Sequence, residues 1–177
     1  AKIQLKVAGQ HNVMNALAAA AAAHAVQVPL AAIAAGLNHF AGVKGRLQVK
    51  QGLNGAVLVD DTYNANPTSV KAAIEVLSQQ QGVRCLVLGD LGELALDAQA
   101  DLLSLGQAAK QAGMDYLYTC GSVSESVSRG YGEGARHFAD KAALLTSLLS
   151  KVRADWTVLV KGSRFMRMEE IVAGLEE

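Results

Sequence analysis

Short runs of apolar residues alternate with amphipathic segments along most of the chain. Cys85-Leu86-Val87-Leu88 is apolar at every position, which is typical of a parallel strand covered on both faces. Residues 97–112 instead place Leu102, Leu105 and Ala109 on one helical stripe. Strands that alternate with such helices predict an α/β fold with a mainly parallel sheet and flanking helices. The predicted strands are residues 46–50, 56–60, 83–88, 116–120, 136–138 and 156–161, with a hairpin turn at 52–55, and the predicted helices are residues 69–78, 97–112, 123–129, 140–152 and 168–175.

The first 44 residues have a different pattern. Alternation of Ile3, Leu5 and Val7 with polar residues predicts a strand. Asn12 is the expected N-cap of an alanine-rich helix that runs through residue 27, and Pro29 opens a second helix through residue 38. This segment offers no partner strands, so we expect it to be the end of a larger domain, with a boundary near residues 42–45.

Composition and charge narrow the class of protein. The chain has 177 residues with 16 basic and 16 acidic side chains, so its net charge is zero and neither a nucleic-acid nor a membrane partner is expected. No apolar run reaches the ~18 residues that cross a bilayer, and the opening residues lack a signal-peptide pattern. Cys85 and Cys120 lack metal-ligand spacing and are interpreted as buried thiols in a reducing cytoplasm, with a redox role left open.

Polar residues follow four predicted strands, at residues 60–67, 89–93, 121–122 and 161–164. Because the carboxyl ends of parallel strands meet at one edge of a sheet, these residues predict a polar cleft. A solvated turn or a helix cap is the alternative for Asp60 and Asp61. Lys161 and Arg164 enter a predicted helix, where cations are unfavourable unless an anion is bound, so they predict a carboxylate or other anionic ligand. No Gly-x-x-x-x-Gly-Lys-Ser/Thr phosphate loop occurs, and no histidine is assigned to a metal.

Five segments together resemble the Mur ligases. These are residues 9–19 (Gly-Gln-His-Asn-Val-Met-Asn-Ala-Leu-Ala-Ala), 45–47 (Gly-Arg-Leu), 60–67 (Asp-Asp-Thr-Tyr-Asn-Ala-Asn-Pro), 87–94 (Val-Leu-Gly-Asp-Leu-Gly-Glu-Leu) and 160–164 (Val-Lys-Gly-Ser-Arg). The resemblance covers the whole chain. It implies that residues 1–44 are the truncated tail of a central ATPase domain and that residues 45–177 form a C-terminal Rossmann-like domain.

The resemblance also implies a reaction. Mur ligases are cytoplasmic ATP-dependent enzymes that form amide bonds of the peptidoglycan stem peptide through an acyl phosphate, with Mg²⁺ as a cofactor. The segments at 63–67 and 161–164 most resemble the branch that adds D-alanyl-D-alanine to UDP-N-acetylmuramoyl-tripeptide. We therefore expect a fragment that is inactive alone, without catalytic or metal-binding residues of its own, from an enzyme that is monomeric at full length.

Site residues follow from the same resemblance. It places ATP near His11, Asn12 and Asn15, with Arg46 reaching the nucleotide and Asp61 on the ribose. Where relatives carry a histidine after the Leu-Gly-Glu-Leu segment, this chain has Leu102, so that histidine's role is not transferred. The implied D-alanyl-D-alanine site comprises Tyr63, Asn64, Asn66, Asp90, Lys161, Ser163 and Arg164.

Alternative functions remain open at this point. One is another Mur ligase or folylpolyglutamate synthase, which shares the architecture and joins a different amine. The other is a non-catalytic α/β module that binds a nucleotide or a small acid.

Overall fold

The computed structural model describes residues 2–7, 9–92, 94 and 99–177. The chain divides into two compact units, Ala1–Val43 and Lys44–Glu177. In the part of the chain that is described, no helix is both long and apolar enough to cross a membrane.

The first unit contains two helices, α1 (Gln10–Ala25) and α2 (Leu30–His39). The predicted strand at its start is wrong, because residues 2–7 have no neighbouring strand to pair with among the described residues and the Gln4 amide donates to Asn38 Oδ1 at 2.7 Å. The predicted N-cap is also wrong. Gly9 precedes α1, and Asn12 lies in its first turn, where its N–H donates to the Gly9 carbonyl at 3.0 Å.

The second unit is built on a six-stranded sheet with the order β1-β2-β6-β3-β4-β5. Strands β2 to β6 are mutually parallel, and β1 pairs with β2 as the predicted antiparallel hairpin. β1 begins two residues later than predicted because Gly45 and Leu47 have left-handed φ angles of 73° and 48°, which an extended strand does not accommodate. The strands are β1 (Gln48–Gln51), β2 (Val57–Asp61), β3 (Val83–Gly89), β4 (Tyr116–Cys120), β5 (Ala135–Phe138) and β6 (Trp156–Lys161).

Five helices cover both faces of this sheet: α3 (Pro67–Ser78), α4 (Gln99–Gln111), α5 (Glu125–Tyr131), α6 (Lys141–Leu149) and α7 (Glu169–Leu175). Each element lies within a few residues of its predicted bounds, although residues 97 and 98 of the predicted 97–112 helix lie outside the described residues. Alternate residues of β3 pack into two hydrophobic cores on opposite faces of the sheet. Leu86 and Leu88 pack with α3, α4 and α5, whereas Cys85 and Val87 pack with α6 and α7. The apolar run Cys85-Leu86-Val87-Leu88 within β3 follows from this double burial, as predicted.

Candidate functional site

The polar residues after the strands meet at the carboxyl edge of the sheet, as the sequence predicts. Asp61 and Lys161 end the adjacent parallel strands β2 and β6 and are partners in register. Side chains of paired residues in parallel strands project to the same face. Lys161 Nζ lies 2.7 Å from Asp61 Oδ2, and the two side chains are only 3% and 12% exposed. The edge is therefore centred on a buried ion pair.

The loop after β2 is fixed by groups from the ends of two other strands. Lys161 Nζ also donates to the Asn64 carbonyl at 2.8 Å. The next carbonyl, that of Ala65, accepts from Ser163 Oγ at 3.1 Å and from the Gly92 amide at 3.1 Å. The loop that contains the predicted dipeptide-site residues thus has its backbone anchored on both β6 and β3.

Asp60 and Asp61 are the last two residues of β2, and neither lies in a solvated turn or caps α3. Asp60 is buried, and its Oδ1 accepts from both the N–H and the hydroxyl of Thr62, at 3.2 and 2.7 Å. The cap of α3 is Asn66, whose Oδ1 accepts from the Ser69 amide at 2.9 Å while Ser69 Oγ accepts from the Asn66 amide. Asn66, assigned to the dipeptide by resemblance, therefore also begins a helix.

Burial raises the pKa of the Asp61 carboxyl group above its ordinary value. The charge and hydrogen bond of Lys161, the Leu47 amide that donates at 3.2 Å, and the charge of Arg46 oppose this rise. Each carboxylate oxygen already accepts one hydrogen bond, and each retains a second lone pair. A carboxylate oxygen with one donor can by its chemistry accept a second, and the Asp61 side chain is 12% exposed.

Asp90, after β3, binds the loop after β4. Its Oδ1 accepts from the amides of Val123 and Ser124 at 2.9 and 2.8 Å, and its Oδ2 accepts from the amide of Ser122 at 3.0 Å. The Asp90 carbonyl accepts from the Ser163 amide at 2.9 Å. A carboxylate in a row of backbone N–H groups occupies the place of a bound anion. Asp90 was assigned to the dipeptide by resemblance, and its described bonds connect the strand ends.

Two arginines lie at the surface of this edge. The Arg46 guanidinium stacks on the Tyr63 ring at 4.4 Å from its centroid, and the Tyr63 residue is 46% exposed. Arg164 is 68% exposed and pairs with Glu169 at 3.1 Å. Contrary to the prediction, Lys161 does not enter a helix but ends β6, whereas Arg164 opens the short 3-10 helix Arg164–Met166. Both cations have acidic partners within the chain, so a bound anion is not needed to balance their charge.

The remaining predicted nucleotide residues, His11, Asn12 and Asn15, lie on α1 in the first unit. His11 and Asn15 are four residues apart, and Asn12 and Asn15 are three apart, so the three side chains share one helical face. His11 and Asn15 are exposed, and Asn12 is partly buried. They form a polar patch on an otherwise alanine-rich helix.

Some site features were not predictable from residue types. The Ala65 carbonyl, where Ser163 and Gly92 meet, has no sequence signature because any residue supplies a carbonyl. The Asp60–Thr62 pair could have been inferred, since an aspartate often bonds the backbone two residues on. Among the described residues, no group of three or more His, Cys, Asp or Glu side chains could hold a metal ion.

The chain matches a family described as "Mur ligase, glutamate ligase domain" over residues 45–164. It therefore belongs to the Mur ligase family. The fold agrees, because a solved structure of MurF from Acinetobacter baumannii superposes with a TM-score of 0.87 at 37% identity, over 97% of this chain and 38% of that one.

Two relatives carry a more specific name. The UDP-N-acetylmuramoyl-tripeptide--D-alanyl-D-alanine ligase of Escherichia coli K12 is 45% identical over 177 residues, which are 99% of this chain and 39% of that protein. The ligase of the same name from Haemophilus influenzae is 36% identical over 99% of this chain and 39% of that protein. The chain thus spans about two fifths of the length of the curated relatives it matches.

Proposed function

We propose that this chain is part of an ATP-dependent ligase that joins D-alanyl-D-alanine to UDP-N-acetylmuramoyl-tripeptide. In this ligase the chain supplies the site for the incoming dipeptide. The observation that carries the proposal is the loop after β2, which is fixed on Lys161 and Ser163 beside the exposed Arg164. The names of the relatives, at 45% and 36% identity over nearly the whole chain, support the choice of dipeptide.

In this proposal the chain positions reactants. The tripeptide's carboxylate is activated as an acyl phosphate by ATP, the dipeptide's amine attacks the acyl carbon to form the amide, and phosphate leaves. Holding an amine against an acyl group in the right orientation lowers the barrier by several kcal/mol in favourable cases. An arginine suits the dipeptide's carboxylate because its planar guanidinium can donate two parallel hydrogen bonds.

We propose nucleotide-binding residues in each of the two units, taken by itself. In the second unit, Asp61 accepts hydroxyl groups of the ribose through its remaining lone pairs, and Arg46 supplies a cation stacked on Tyr63. In the first unit, His11, Asn12 and Asn15 offer donors and acceptors to the base. Among the described residues, no group of three or more His, Cys, Asp or Glu side chains could hold a metal ion, and the Mg²⁺ that the resemblance implies is assigned mostly to the central domain.

A chimaeric ligase tests the proposal. The 177 residues replace the matching part of the E. coli relative, of which they cover 39%. We expect ATP-dependent amide formation with D-alanyl-D-alanine and, for an equal amount of enzyme, little or none with meso-diaminopimelate or glutamate. A chimaera that prefers one of the other amines would refute the assigned substrate. A folded chimaera that is inactive with all three would refute the proposal as a whole.

A further inference from the structure

We propose that Lys161 is a positioning residue, which holds the Asp61 carboxylate and the loop after β2 in place, and that Arg164 rather than Lys161 meets the dipeptide's carboxylate. This inference rests on the proposed function, in which Asp61 contacts the nucleotide and the loop lines the dipeptide site. The sequence pattern assigns both Lys161 and Arg164 to the dipeptide site, and only Arg164 keeps that assignment here.

The contacts of Lys161 lie within the chain. Its Nζ donates to Asp61 Oδ2 at 2.7 Å and to the Asn64 carbonyl at 2.8 Å, and the Lys161 side chain is 3% exposed. Two of the three ammonium protons are donated within the chain, and a dipeptide carboxylate could reach the third only at a side chain that is almost fully buried. Removing one member of a buried ion pair leaves an uncompensated charge, which is strongly unfavourable. The geometry therefore favours an internal partner for Lys161.

Residues at and just after the end of β6 donate hydrogen bonds to successive residues of the loop after β2. Lys161 binds the side chain of Asp61 and the carbonyl of Asn64, and Ser163 binds the next carbonyl, that of Ala65. Carbonyl oxygens that point inward need donors, and a lysine supplies up to three. Without its ammonium group, the carboxylate that faces the nucleotide and the backbone that faces the dipeptide would both lose a fixed position.

Arg164 has the opposite properties. It is 68% exposed, and its ion pair with Glu169, at 3.1 Å, lies at the surface. The exposed guanidinium group has five N–H donors, so a ligand carboxylate can bind Arg164 beside Glu169. Arg164 directly follows Ser163, whose hydroxyl group binds the Ala65 carbonyl of the fixed loop.

Steady-state kinetics of the chimaeric ligase separate the two roles. In Lys161→Met we expect the KM values for ATP and for D-alanyl-D-alanine both to rise, with the KM for ATP rising about tenfold or more. In Arg164→Ala we expect the KM for D-alanyl-D-alanine to rise about tenfold or more and the KM for ATP to change less than about threefold. Lys161→Arg, which keeps the charge, should recover part of the ATP affinity, and Lys71→Met, at an exposed lysine on α3, is the matched control. A rise in the dipeptide KM alone in Lys161→Met would overturn the inference.

Hydrogen exchange in the 177-residue chain tests the same inference without activity. The Gly92 amide, bonded to the Ala65 carbonyl, and the Tyr63 amide, bonded to the Gly45 carbonyl, report on the loop. In Lys161→Met we expect both amides to exchange about tenfold faster, while the amide of Leu117 in β4 keeps its rate. Unchanged loop exchange would contradict the positioning role. A chimaera inactive with every amine would instead refute the proposed function and leave this exchange result to decide the role of Lys161.

Discussion

The carboxylate of Asp90 lies directly against the Cα of Gly121. A Cβ added to Gly121, whose φ is 119°, would lie 2.4 Å from Asp90 Cγ. The close approach lets the carboxylate reach the amides of residues 122–124, so that the ends of β3 and β4 form one structure. The glycine after β4 is therefore required by the aspartate after β3.

Removing this aspartate should destabilise the second unit. Asp90→Ala leaves three amides without their charged acceptor, and hydrogen bonds to charged groups contribute about 1.5–3 kcal/mol each. Since water can replace some of them, we expect the free energy of unfolding to fall by about 3 kcal/mol in urea denaturation. Glu75→Ala, at an exposed glutamate on α3, should change it by less than about 0.5 kcal/mol. A loss for Asp90→Ala no larger than this control would contradict the structural role.

Two glycines permit the close packing of α4 on α5. A Cβ on Gly106 would lie 2.1 Å from the Val127 carbonyl oxygen, and one on Gly130 would lie 2.1 Å from that of Leu103. Gly106→Ala and Gly130→Ala should each lower the free energy of unfolding by about 1–3 kcal/mol or more, despite the better helix propensity of alanine.

Gly36→Ala is the matched control for this pair of variants. Gly36 lies inside α2, and a Cβ there has no described heavy atom within 4 Å. Thermal unfolding followed by circular dichroism should show a stabilisation of α2 of about 1 kcal/mol or less. Equal effects at all three glycines would mean that the contact between α4 and α5 is not as close as described.

The ion pair between Asp61 and Lys161 makes the free energy of unfolding depend on pH. Because burial raises the pKa of Asp61, the folded state binds more protons between the ordinary and the raised pKa, and the free energy of unfolding falls as pH rises through this range. Lys161 opposes the rise, so Lys161→Met should raise the pKa of Asp61 further and extend the fall to higher pH.

Carbon-13 NMR titration of the Asp61 carboxyl group measures this pKa directly. Unfolding curves at several pH values should show the added pH dependence in Lys161→Met and its absence in the double variant Asp61→Asn/Lys161→Met. A carboxyl pKa that is unchanged or lowered in Lys161→Met would contradict the description of the pair.

Both cysteines should be unreactive in the folded protein. Cys85 and Cys120 are buried free thiols, and burial raises the pKa of each, so little thiolate is present at neutral pH. We expect a chromogenic disulfide reagent to titrate two thiols in denaturant and to react in native buffer only as fast as the protein opens. Rapid native reaction of either cysteine would restore the redox role that the sequence left open.

The sequence predicted the sheet well because apolar runs such as Cys85-Leu86-Val87-Leu88 need burial on both faces, which a parallel α/β sheet provides. The strand predicted around Ile3 and Leu5 failed because alternation describes one segment, whereas a strand needs a partner. At the site too, the local sequence around Lys161 does not identify its partner. Its position predicted a cation at the sheet edge, but its partner Asp61 lies 100 residues earlier and is found only through the register of β2 with β6.

The most direct test of the central claim is titration of D-alanyl-D-alanine into the isotope-labelled 177-residue chain, followed by amide NMR. The account predicts millimolar binding that shifts the amides of residues 63–66 and 162–164, weaker binding of L-alanyl-L-alanine, loss of binding in Arg164→Ala and retention in Lys71→Met. No shift of these amides at tens of millimolar dipeptide, or equal binding by Arg164→Ala, would contradict the claim that this chain carries the dipeptide site.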